Sequence, residues 1–128
     1  MGKFFHDDVL DATLNEVADN GDKMFVCTAQ PTTYTEASVT YVLATITLTV
    51  GDGNGDYTVA DDGTSGRKLT VAAQSAASVT ANGTATHVAI GDSGNSKVLA
   101  VTTTTSQSLT SGGTVDVPTF DLTVNDPA

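Results

Sequence analysis

Val42-Leu43-Ala44-Thr45-Ile46-Thr47-Leu48-Thr49-Val50 places Val42, Ala44, Ile46, Leu48 and Val50 on one face. Thr45, Thr47 and Thr49 fall on the other. A period of two over such a stretch is that of a half-buried β-strand. Upstream, Met24-Phe25-Val26-Cys27 is a short apolar run suited to a buried strand, and Gln30-Pro31-Thr32-Thr33 ends it. Downstream, residues 51–56 form a Gly/Asp/Asn turn cluster, followed by a short strand over residues 57–60. Residues 61–66 read as a loop, and residues 67–73 alternate again through Leu69 and Val71.

The second half repeats this rhythm. Asn82-Gly83 is the favoured two-residue hairpin turn, here between residues 78–81 and 84–90. Asp92-Ser93-Gly94-Asn95 predicts another turn, residues 97–105 a strand, and Ser111-Gly112-Gly113 a further turn. Residues 114–124 close the series, with Pro118 marking an edge or a bulge. Strands at this spacing predict a mainly β fold, an antiparallel β-sandwich or small barrel of about seven or eight strands.

The first twenty residues differ. Val9, Leu10, Leu14 and Val17 recur at helical spacing, with Phe5 ahead of them. Asp7 or Asp8 suits the N-terminal cap, and Asn20-Gly21 suits the stop. The expectation is one N-terminal amphipathic helix whose stripe covers a sheet. Residues 1–21 form the arm and helix, and residues 22–128 form the β-domain of a single compact unit.

Composition narrows the function. The 128 residues carry 15 acidic and 5 basic side chains, for a net charge of -10, and threonine makes up roughly a sixth of the chain. Nucleic-acid binding needs a basic footprint, and docking on an anionic membrane needs basic residues, so neither is expected. No apolar run is long enough to span a bilayer. The opening Met1-Gly2-Lys3-Phe4-Phe5-His6-Asp7-Asp8 turns acidic too early for a signal peptide, so synthesis and retention in a cytoplasm are expected. The single cysteine, Cys27, excludes an internal disulfide and sits in an apolar run that makes it inert.

Candidate chemistry is sparse. Asp52, Asn54 and Asp56 match the first three ligand positions of a calcium loop. Tyr57 stands where that loop needs glycine and Gly63 where it needs a bidentate glutamate, so turn chemistry is the stronger reading. His6 and His87 are the only histidines. His6, at the helix start, suits a cap or an interface. His87 on a strand suits a structural hydrogen bond. No nucleophile elbow, P-loop or dinucleotide fingerprint is present, and no nucleophile, base and orienting group can be assembled. An enzyme, a cofactor and a zinc site are therefore not expected. Arg67-Lys68 is a basic pair in an acidic chain. It reads as a solvated strand start or as a charge partner for a neighbouring subunit.

Several segments carry a likeness: Phe4-Phe5-His6-Asp7-Asp8-Val9-Leu10-Asp11, Gln30-Pro31-Thr32-Thr33-Tyr34-Thr35-Glu36-Ala37, Ser65-Gly66-Arg67-Lys68, Gly83-Thr84-Ala85-Thr86-His87 and Asn125-Asp126-Pro127-Ala128. On these the chain resembles small proteins encoded among the structural genes of tailed bacteriophages. The resemblance implies a capsid decoration, or cement, protein on the outer surface of the virion, made in the host bacterial cytoplasm. It also implies a major capsid protein as partner, and self-association as a homotrimer. A neck or tail adaptor, a head-fibre component, and a calcium-assisted adhesion module are the alternatives. Residues 51–56 look longer and richer in Gly and Asp than such proteins lead one to expect. Docking contacts are expected at Lys3, Phe4, Phe5 and His6 and along Pro31, Thr32, Thr33, Tyr34 and Glu36. Aromatic and turn-rich segments outside the regular pattern favour interfaces. Arg67 and Lys68 join them as subunit contacts.

Overall fold

The computed structural model describes residues 6–62 and 66–125. The protein is mainly β, 51% strand and 18% helix, with antiparallel sheets and one N-terminal α-helix. Nine strands form among the described residues, and no sheet closes into a barrel. The chain divides into two units, each discontinuous in sequence.

One unit takes residues 21–48 and 74–117. Its principal sheet has the order β2 (Val42–Thr47), β1 (Lys23–Cys27), β6 (Gly83–Asp92), β7 (Lys97–Leu109), antiparallel throughout. β1 is central. Met24 faces Ile46 and Ile90, and Val26 faces Ala44 and Val88 across its two neighbours. Met24 through Cys27 are all buried, as a strand covered on both faces requires. Phe25, Cys27 and Ala89 on one face pack with Ala37 from the segment between β1 and β2. A second pair, β5 (Gln74–Ser78) with β8 (Thr114–Val117), joins β2 through an Ala44–Val79 bridge. Two sheets in one unit are compatible with a sandwich.

The other unit takes residues 1–20, 49–73 and 118–128. Here β3 (Tyr57–Asp61), β4 (Arg67–Val71) and β9 (Phe120–Val124) form a sheet with β4 central, and α1 (Asp7–Asn20) packs on it. Leu10, Leu14, Val17 and Ala18 are the buried stripe of α1, while Tyr57, Leu69 and Val71 are the buried residues of the sheet. The helix thus shares a unit with β3, β4 and β9, and its stripe covers their sheet as expected. An amphipathic helix needs an apolar surface to cover, and this sheet supplies one.

Four local expectations are corrected. Val9 is outside the buried stripe, about half exposed. α1 ends without a left-handed Gly21. The Asn20 side chain donates to the Glu16 carbonyl, and the Gly51 amide donates to the Ala18 carbonyl. β2 stops at Thr47, and Val50 is exposed. Asn82-Gly83 makes no hairpin, because β5 pairs with β8 and β6 pairs with β1 and β7. Gly83 lacks the positive φ that the hairpin turn demands. It is instead a close approach: a Cβ there would meet Leu43 Cδ2 and Thr28 Cγ2 at 2.9 Å. The turn at 93–96 forms as expected and makes the β6–β7 hairpin. Pro118 marks the break between β8 and β9, which lie in different sheets.

Gly66 and Gly112 both hold left-handed φ, +90° and +91°. At Gly112 a Cβ meets nothing within 4 Å, whereas at Gly66 it would press on the backbone of Val124 and Asn125. Gly112→Ala should therefore cost about 1 kcal/mol of left-handed strain and Gly66→Ala at least about twice that. Urea denaturation checks this, and equal losses would contradict the close approach at Gly66.

Candidate functional site

The segment between β1 and β2 is where sequence reading placed the largest group of docking residues. Its order comes from a small set of polar contacts. The Glu36 carboxylate accepts the Thr32 amide and the Thr32 hydroxyl, each at 2.8 Å. The Glu36 amide donates to Thr33 Oγ1 at 3.1 Å. The bonds to the carboxylate, the Thr32 amide foremost and then the Thr32 hydroxyl, hold the Glu36 carboxyl below the usual glutamate range. A single π-helical turn follows over Glu36–Thr40, closed by the Tyr41 amide on the Glu36 carbonyl at 2.8 Å. Thr33-Tyr34-Thr35-Glu36 has the spacing of a capping box. The sequence reading passed over that signal, which marks the turn.

The side chains of this segment divide sharply. Pro31 and Ala37 are buried. Tyr34 is half-buried, its ring edge-on to Phe25 at 5.7 Å between centroids, so it anchors the segment to the sheet. Thr32, Thr33, Thr35, Val39 and Thr40 face outward, and Val39 is 70% exposed. The outward surface is therefore hydroxyls around one valine, not the tyrosine.

The basic pair is engaged within its own unit. Arg67 Nε donates to Asp11 Oδ1 at 2.7 Å and Nη1 to Asp61 Oδ1 at 2.7 Å, with a longer contact from Nη2 to Asp11 Oδ2. The guanidinium thereby fastens α1 to the β3–β4 hairpin, and the bonds to Asp11 raise its pKa further. Lys68 Nζ lies 3.9 Å from Asp121 Oδ2 on β9. Both side chains thus have acidic partners within their own unit.

The Gly/Asp loop is likewise occupied. Asp52 Oδ1 accepts the Val59 amide at 2.9 Å, Asp56 Oδ2 accepts the Thr49 amide at 2.6 Å, and Asn54 Nδ2 donates to the Val50 carbonyl at 3.1 Å. Among the described residues no group of three or more His, Cys, Asp or Glu side chains is placed to hold a metal ion.

His6 caps α1: its Nδ1 accepts the Asp8 amide at 3.1 Å and its carbonyl accepts the Val9 amide. Lys3, Phe4 and Phe5 lie outside the described residues. His87 Nδ1 pairs with the Thr86 hydroxyl at 2.9 Å. Cys27 is buried, and burial pushes its thiol up to about 11, so almost no thiolate forms at neutral pH. Asp92, the one buried charged residue described, accepts the Gly94 and Asn95 amides and the Asn95 side-chain amide, which fixes the β6–β7 turn. Asp22 ties that turn to the start of β1 through the Ser93 amide and hydroxyl. Burial raises its pKa, but those two bonds, together with its own backbone amide and the charge of Lys23, outweigh it and leave the carboxyl low. No helix among the described residues is long and apolar enough to cross a membrane.

No family model, curated protein or solved structure matches this chain.

Two outcomes follow from this geometry. A depressed carboxyl contributes stability in full above its ordinary pKa and loses it as pH falls through the lowered folded value. The Thr32 amide resonance should therefore titrate with a midpoint below the usual glutamate range, and Glu36→Gln should remove that step. A midpoint at the ordinary value would contradict the contact. Millimolar calcium should leave the melting temperature unchanged, because the Asp52 and Asp56 carboxylates already serve backbone amides. A clear upward shift would restore the calcium reading.

Proposed function

We propose that this chain is a non-enzymatic virion protein that decorates and reinforces a tailed-phage capsid. Made in the host cytoplasm, it binds the lattice of the major capsid protein from outside. The observation that carries the reading is the Thr32–Thr40 surface. Glu36 and Tyr34 hold it in one conformation while its threonines and Val39 face solvent. A contact segment ordered before binding loses little conformational freedom on docking. Hydroxyl groups bond a partner without long charged side chains, and repetition over a shell turns modest contacts into firm attachment. The resemblance to phage structural proteins points the same way. So does the charge of -10, which suits an outer surface better than one facing packaged DNA.

Co-sedimentation with purified empty capsids tests this. The full chain should pellet with shells. Val39→Asp should stay in the supernatant with an unchanged melting temperature, because Val39 is 70% exposed and bears little on folding. Removing residues 2–6 tests the arm in the same assay. A Val39→Asp protein that pellets like the parent would sink the loop contact, and absence of the protein from finished particles would sink the virion role. Copy number by gel densitometry distinguishes a decoration protein, present in hundreds, from a neck or tail adaptor, present in a few.

A further inference from the structure

We infer that the outer edge of β7 pairs antiparallel with the β7 edge of a second copy of this chain, joining two four-stranded sheets into one. The pair is two-fold, in place of the homotrimer that the resemblance implies, and it holds or fails independently of binding to capsids.

An open sheet edge is a template for another strand, and proteins commonly blunt their edges. Every other edge described here is blunted. β2 is covered by the Ala44–Val79 bridge and by the Thr80 amide on the Leu43 carbonyl. β3 is capped by the Asp52 carboxylate on the Val59 amide and by the Gly53 amide on the Tyr57 carbonyl. β9 carries Asp121. β5 is broken by Ala76 at φ +55°, whose amide is taken by Asp116, and β8 is four residues long and carries that Asp116. β7 alone runs 13 residues with β6 as its single strand partner among the described residues.

Its chemistry selects the occupant. No ionisable residue stands between Lys97 and Asp116, in a chain whose net charge is -10. Two copies repel one another over most of their surfaces, and an uncharged edge is where that repulsion is least. The strand offers no charge to attract a basic or acidic foreign segment. Two bulges bracket the pairing site. β7 has one extra residue opposite Ile90–Gly91 and two opposite Ala85–His87. Between them Ala100 to Thr103 pair regularly with His87 to Ile90, so this run presents a straight outer edge. A two-fold axis between Val101 and Thr102 sets each Val101 against a Thr102 and each Ala100 against a Thr103, an uncharged pairing rich in β-branched residues. Val98 and Val101, half-buried on the Phe25 cluster, gain cover from the added sheet.

Light scattering of the full chain across roughly a hundredfold range of concentration tests this, since pairing follows mass action. The chain should approach twice its monomer mass. Thr103 is exposed, so Thr103→Lys should fold normally. It should weaken the dimer at least about tenfold, because edge lysines oppose pairing and the two ammoniums fall within a Debye length. Thr105→Lys provides a second exposed position on the strand should the first variant misfold. Thr103→Ser and Thr58→Lys on β3 should remain dimeric. A monomer at every concentration, a trimer, or a dimer indifferent to both β7 lysines would overturn the inference. A monomer that still pellets with capsids would overturn the β7 pairing alone, and an intact dimer that ignores capsids would overturn the virion role alone.

Discussion

Pairing of β1 on both sides is the constraint on which the larger unit depends. Met24-Phe25-Val26-Cys27 is buried on both faces and hydrogen-bonded along both edges, to β2 and to β6. Its two flanking strands are distant in sequence, so β1 must recruit long-range partners to bury its apolar side chains. Burying such side chains contributes roughly 1.5–3 kcal/mol each. The 31–41 segment gains its position from the same strand, because Tyr34 leans on Phe25 and Ala37 joins the cluster. The presented threonine surface is thus a consequence of how β1 is covered.

The acidic side chains show a second economy. Asp11 and Asp61 fix Arg67, Asp52 and Asp56 fix the loop before β3, and Asp22 and Asp92 fix the β6–β7 turn. Much of the acidity therefore organises loops by accepting backbone amides. Carboxylates that accept amides are engaged, and a calcium ion would have to displace those bonds. What remains outward on β7 beyond Lys97, and on the 32–40 segment around the engaged Glu36, is hydroxyl-rich.

The β class, the N-terminal helix and the Asp92–Asn95 turn were legible because each rests on local pattern. Leu10, Leu14 and Val17 lie at helical spacing, and Asp92 makes an Asx turn. The Thr33-x-x-Glu36 box, equally local, went unread, although it marks the π-helical turn. Asn82-Gly83 misled because a turn signal states what a dipeptide can do, while the available partners decide what it does. β5 finds β8, and Gly83 is needed for room beside Leu43 and Thr28. Tyr34, expected among the docking contacts, is half-buried with its ring against Phe25, a placement nothing local reveals. The discontinuous units were beyond any local pattern, because α1 meets β3, β4 and β9 only through the fold.

The proposed association role rests on ordered loops, engaged carboxylates, and one strand edge left open and uncharged beyond Lys97. The most direct measurement is amide hydrogen exchange at Ala100, Val101, Thr102 and Thr103 in dilute and in concentrated solution. Outward-facing amides in this run should gain protection as concentration rises, while those of β1 stay equally slow throughout. Exchange in β7 that ignores concentration would contradict the account.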